Sequence, residues 1–147
     1  VIVVDVNVLA YLLIPGKYTT ASEQLLAADA AWVVPRLWRS EFRNVLAYYL
    51  RAKQMDLADA AAIYQRAEEL VGAEEYEVET THVLRLSAES KCSAYDCEYV
   101  ALAEFLDVRF VTNDVKLAKA FPRRTALLSR RHDLQLATAV RAVGMAP

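Results

Sequence analysis

The chain opens on a short β-branched run, Val1–Val4, the pattern of a strand buried on both faces. Ile14-Pro15-Gly16 breaks the chain soon after. A helix is predicted over Thr20–Ala30, with Thr19 or Thr20 as N-cap and Glu23 in the first turn. Ala31–Val34 reads as a second buried strand, closed by Pro35. From Arg36 to Arg51 the period turns helical, and Trp38, Phe42, Val45 and Tyr49 form one apolar stripe. Asp56–Val71 is a further helix, capped near Asp56 and stopped near Gly72. Tyr76–Glu79 alternates as a weak strand, Thr81–Ser90 is a short helix, and Ser93–Leu106 is a stronger one capped by Ser93. Val108–Thr112 is a strand, Asn113–Phe121 a helix closed by Pro122, and Thr125–Ser129 a last strand. A C-terminal helix is predicted over Arg131–Val143.

Strands that alternate with helices and helix pairs imply a parallel sheet covered on both faces. The expected architecture is an α/β fold, a three-layer α/β/α sandwich with five strands. No repeat or linker interrupts it, so residues 1–147 are read as a single domain, with the role of 131–147 left open. A hydrophobic content of 56% excludes a disordered chain. Cys92 and Cys97 form no C-x-x-C motif and have no nearby His pair, which argues against structural zinc and for buried thiols in a reducing cytoplasm. Asp5 and Asn7 interrupt the apolar start, and no run approaches the ~18 apolar residues of a membrane span. A cytoplasmic protein without membrane contact is expected.

Charge alters this picture in one respect. The net charge of −2 divides unevenly: residues 1–108 carry 9 Lys/Arg against 17 Asp/Glu, and residues 109–147 carry 8 against 2. Lys116, Lys119, Arg123 and Arg124 belong to that basic third. They are either a solvated basic face or contacts for a phosphate backbone.

Four acids occupy positions that matter in such a fold. Asp5 follows the first strand, and Asp114 follows the fourth at a helix start. Ligands of open parallel sheets bind beyond the carboxyl ends of the strands, where the strand order reverses. Glu41 stands at the edge of the Trp38–Tyr49 stripe. Asp96 lies in a helix that is apolar almost all round, and points about 200° away from Glu98. Each acid also has a plain structural reading: a cap for Asp96 and Asp114, a turn residue for Asp5, an exposed helix acid for Glu41. Grouped carboxylates repel one another unless a cation sits among them, and all-oxygen ligation suits Mg²⁺ or Mn²⁺.

At these residues the sequence resembles the PIN-domain family, and within it the VapC-type toxin ribonucleases. The resemblance is carried by Val3-Val4-Asp5-Val6-Asn7-Val8-Leu9, Ser40-Glu41-Phe42-Arg43-Asn44-Val45-Leu46, Ser93-Ala94-Tyr95-Asp96-Cys97-Glu98-Tyr99-Val100-Ala101-Leu102-Ala103 and Val111-Thr112-Asn113-Asp114-Val115-Lys116-Leu117. It implies a sheet of order 3-2-1-4-5 and an Mg²⁺- or Mn²⁺-dependent endoribonuclease, the toxin of a toxin–antitoxin pair. By the resemblance, Asp5, Glu41, Asp96 and Asp114 are the catalytic acids, and Asp5, Asp96 and Asp114 hold the metal. Thr112 and Asn113 would support them. Asn44, one turn after Glu41, is a candidate second partner or an ordinary exposed amide. The family further implies a homodimer and a small antitoxin protein. An antitoxin helix is expected in a groove walled by Arg36–Arg51 and Asp56–Val71, with Tyr48 and Tyr49 as anchors.

Two other classes also place acids at strand ends. A phosphoryl-accepting receiver domain needs an Asp after strand three, where this chain has Thr80 and Thr81. A haloacid-dehalogenase-type phosphatase needs D-x-D after strand one, where Asp5-Val6-Asn7 has Asn. A PIN scaffold that binds RNA or protein without cutting is the remaining alternative.

Overall fold

A computed structural model describes residues 1–129; the expected helix Arg131–Val143 lies outside them. The elements in chain order are β1 (Ile2–Val4), α1 (Val6–Leu13), α2 (Thr19–Ala28), β2 (Trp32–Pro35), α3 (Trp38–Arg51) and α4 (Leu57–Val71). There follow β3 (Glu75–Tyr76), α5 (Thr80–Ser90), α6 (Ala94–Leu106), β4 (Phe110–Thr112), α7 (Val115–Ala120) and β5 (Thr125–Leu127). The strands form one parallel sheet in the order β3-β2-β1-β4-β5. It is the three-layer α/β/α arrangement expected, with β1 at the centre and β4 beside it.

The central strands are short but wholly apolar, since both faces lie under helices. Val3 pairs with Val33 on one side and with Phe110 on the other, and all three are buried. α6 crosses this centre with Cys97, Val100, Leu102 and Ala103 fully enclosed. Its all-round apolar composition therefore reflects contact with both α5 and the sheet. α3 buries Trp38, Phe42 and Leu46, while Val45 and Tyr49 of the predicted stripe are only half-buried.

Several local expectations change. The sequence reading gave no element to residues 6–13, yet α1 begins there directly after β1. Asp5 makes the turn by capping the helix, accepting from the Asn7 backbone N–H at 3.3 Å. At α2 neither Thr19 nor Thr20 is the N-cap; Tyr18 is, with no side-chain bond. The Thr19 hydroxyl instead ties the preceding loop, accepting from the Gly16 N–H at 2.9 Å and donating to the Tyr11 carbonyl at 2.7 Å. Strand three is Glu75–Tyr76 rather than Tyr76–Glu79, because Glu79 is taken as the N-cap of α5. Asp56 caps α4 in a full capping box with Asp59.

Candidate active site

Each of the four acids stands in the loop or first turn that follows a strand or opens a helix. Asp5 is the buried member, 9% exposed, at the carboxyl end of β1. Its Oδ1 accepts from Asn7, and its Oδ2 accepts from the Thr112 hydroxyl at 2.6 Å. Thr112 closes β4, fully buried, and also accepts from the Asp114 backbone N–H at 3.1 Å. This one hydroxyl therefore links the ends of the two neighbouring strands. Asp114 caps α7, with Oδ1 accepting from Leu117 N–H at 3.0 Å. Capping and a place at the sheet's end thus coexist in the same residue.

Asp96 is the third residue of α6, half-buried. Ser93 Oγ accepts from its backbone N–H at 3.1 Å. No return bond from the Asp96 carboxylate completes a capping box, so that carboxylate keeps its oxygens. Glu41 lies in the first turn of α3, where the Tyr99 hydroxyl donates to its Oε1 at 2.6 Å.

The electrostatics show that these acids share one region. Burial raises the pKa of Asp5, and the nearby charges of Asp96 and Asp114 raise it further against the hydrogen bonds that lower it. Burial likewise pushes Glu41 up to about 7, with Asp5, Asp96 and Glu98 adding to the effect and the Tyr99 bond opposing it. Among the described residues, no ion pair reaches any of the four. The relief available within the chain is the start of α1, α3, α6 and α7, whose first turns carry partial positive charge.

The chemistry of this donor set suits a divalent cation. All the donors are oxygens, one is nearly buried, and among the described residues none is in an ion pair, which fits Mg²⁺ or Mn²⁺. Among the described residues no three such side chains stand at direct metal-ligating spacing. Mg²⁺ tolerates this, because it keeps several waters and uses one or two carboxylates directly.

The other expected residues divide. Burial raises the pKa of the Tyr11 phenol, and the half-buried Asn113 beside it opposes that shift. Asn44 is exposed, and the partner that Glu41 finds is Tyr99 rather than Asn44. Lys116 and Lys119 are exposed on α7, Lys116 in the turn next to Asp114 and Lys119 in the last turn. Arg123 and Arg124 correct the expectation: they precede β5, at the amino ends of the strands, opposite the acids. Arg124 is engaged there by Asp107 Oδ1 at 3.2 Å and the Val108 carbonyl at 3.0 Å. Tyr99 is a functional residue that the sequence pattern does not single out. Its signal was a hydroxyl three residues after Asp96, on a helix where every other buried side chain lacks an oxygen.

A five-stranded 3-2-1-4-5 sheet with acids gathered at its carboxyl end defines the class. The PIN domain profile matches residues 2–121, and the chain belongs to the PIN domain family. PIN domains are generally nucleases. Two solved structures share the fold. One is PAE2754 from Pyrobaculum aerophilum, with TM-score 0.72 and 20% identity, covering 93% of this chain and 96% of that one. The other is FitAcB from Neisseria gonorrhoeae, with TM-score 0.68 and 14% identity, covering 88% of this chain and 99% of that one. No curated protein gives a significant sequence match.

Proposed function

We propose that the protein is an Mg²⁺- or Mn²⁺-dependent endoribonuclease acting as the toxin of a toxin–antitoxin pair, its 147 residues forming one domain. The observation that carries this is the gathering of Glu41, Asp96 and Asp114 around the nearly buried Asp5, with no ion pair to any of them among the described residues, in a PIN-family chain. Asp5, Asp96 and Asp114 would hold the ion, one or two of them directly and the rest through its waters. When bound, it would lower the pKa of a water and offset charge on the phosphodiester oxygens. Thr112 at Oδ2 and the Asn7 N–H at Oδ1 orient the Asp5 carboxylate, and so fix how its remaining lone pairs would meet the ion. Tyr99 occupies Glu41 Oε1, leaving Oε2 to take a proton from the attacking water. Lys116 and Lys119 are candidates for the RNA backbone on the same helix as Asp114.

The partners follow from the same reading. A cleft of about 520 Å³ lies between the end of α1, the end of α3 and the start of α4, lined by Leu13, Tyr49, Met55 and Ile63 among others. Tyr48 beside it is 60% exposed. An amphipathic antitoxin helix would suit this cleft, whose lining also includes Gln54, Asp59 and Arg66, with a basic side chain reaching the acids. A homodimer and a cytoplasmic location belong to the same proposal. Among the described residues, no helix is long and apolar enough to cross a membrane.

The test is incubation of the purified protein with total RNA in Mg²⁺, in Mn²⁺ and in chelator, beside Asp96→Asn. Cleavage that needs the metal and Asp96, with Asp96→Asn still folded by circular dichroism, is the expected result. Cleavage in chelator, or an active Asp96→Asn, would reject it. No cleavage in either metal would favour the non-catalytic PIN scaffold.

A further inference from the structure

Tyr95 differs from the other tyrosines of the chain. Tyr11 and Tyr18 pack ring to ring, as do Tyr48 and Tyr49, and Tyr64 stacks on Trp38. Tyr76 and Tyr99 donate their hydroxyls to Glu74 and Glu41. Tyr95 alone makes neither a ring contact nor a hydrogen bond among the described residues, and it is 65% exposed. A free aromatic ring costs hydration without any return from packing, so its position bears on what it meets.

That position is defined by α6. Tyr95 lies four residues before Tyr99, so the two share a face, one helical turn apart. Tyr99 is the inner member and reaches Glu41. Tyr95 is the outer member, beside Asp96 in the first turn, where α6 opens at the acid end of the sheet. Long helical side chains also lean toward the helix N-terminus, the end of α6 that carries Asp96. On α7 Val115, next to Asp114 at the start of the helix, is 50% exposed. Exposed apolar side chains thus stand next in sequence to two of the acids, Tyr95 beside Asp96 and Val115 beside Asp114.

We propose that Tyr95 is a substrate-positioning residue: its ring stacks on an unpaired base beside the phosphodiester held at the acids. The inference rests on the ribonuclease reading above. An acidic site repels the phosphates on either side of the one it holds, so contacts indifferent to that charge add to whatever grip Lys116 and Lys119 supply. Base–aromatic stacking is such a contact, and it tolerates sequence because every base has a π-face. It also selects single-stranded RNA, since a paired base cannot leave its helix to reach the ring. The role is positioning only, and proton transfer and metal binding remain with the acids.

The experiment compares Tyr95→Ala, Tyr95→Trp and Tyr95→Leu in the full chain, on a single-stranded RNA oligonucleotide with Mg²⁺ or Mn²⁺. Each variant's melting temperature is measured first. Tyr95→Ala should raise KM by roughly 5- to 100-fold, the size of one base–aromatic stack, with kcat changed much less. Tyr95→Trp should stay near wild type, and Tyr95→Leu, apolar but without a π-face, should behave like Ala. On an oligonucleotide made abasic at the nucleotide beside the cut, wild type and Tyr95→Ala should cleave alike. If wild type cleaves and the KM of Tyr95→Ala stays within twofold, or Leu restores what Ala loses, stacking is wrong while the nuclease reading stands. If Tyr95→Ala instead lowers the oligomeric state by light scattering and activity follows that loss, the ring is an interface residue and the proposal falls. A wild-type protein that cleaves no RNA in either metal overturns both readings together.

Discussion

Replacing Glu41 by Gln should stabilise the metal-free protein at pH 8 and do little at pH 5. The perturbation is small in shape: Gln keeps an oxygen for the Tyr99 hydroxyl and removes only the charge. Burial first, and then the acids around it, raise Glu41 from 4.5 to about 7. At 1.36 kcal/mol per unit the shift corresponds to at most about 3.4 kcal/mol. The side chain is only half-buried, and solvent screening reduces this to roughly 1–2 kcal/mol. A raised carboxyl pKa means that the folded protein holds this proton more tightly than the unfolded chain. Stability is therefore complete below about 4.5, falls as pH rises toward 7, and stays low above it. Glu41→Gln should escape that fall and melt about 3–6 °C above wild type at pH 8 in chelator. The assay is thermal melting by circular dichroism at pH 5, 6, 7 and 8, each with chelator and with excess Mg²⁺. Asp5 is shifted in the same direction, so some slope should survive in Glu41→Gln and shrink further with Asp5→Asn. Mg²⁺ should stabilise wild type more than either variant at pH 8. A difference between wild type and Glu41→Gln that does not change with pH, or a variant less stable at pH 8, would refute the argument that crowded acids strain this end of the fold.

Thr112→Val keeps the shape of a buried side chain and removes the bond to Asp5 Oδ2; it should cost about 1–3 kcal/mol in urea unfolding and weaken Mg²⁺ binding measured by calorimetry, and unchanged metal affinity would end its orienting role. Replacing Lys116 and Lys119 together by Ala should flatten the dependence of log RNA affinity on log salt by about 1.4, whereas Arg123→Ala, at the opposite end of the sheet, should leave the slope alone. Arg39 holds Glu75 below its usual range, with the Trp38 indole N–H adding to it, so Glu75→Gln should remove a part of the stability that wild type loses as pH falls below about 4.5; identical acid melts for both would refute this.

The sequence by itself determined the class of fold. Apolar runs short enough for strands alternated with longer segments of helical period, and a parallel sheet is the arrangement that buries both. Capping chemistry was equally local: Ser93 and Asp56 are the caps that their side chains predicted. Where a competing contact lay nearby the local reading failed. Thr19 is drawn to the Tyr11 carbonyl instead of capping α2, and Glu79 leaves strand three to cap α5. α1 went unread because its residues are as apolar as a strand, and only the turn made by Asp5 separates it from β1. The four acids could be picked out one at a time, each with an ordinary alternative. Tertiary structure decided that Asp5 is enclosed, that Thr112 joins it to the backbone of Asp114, and that Tyr99 crosses 58 residues of chain to meet Glu41. It also decided that Arg123 and Arg124 face away from the acids, since α7 carries the chain back to the other end of the sheet before β5 begins. Periodicity records which side of an element is buried. Only the packing of one element on another records which end of the sheet a residue reaches, and what it meets there.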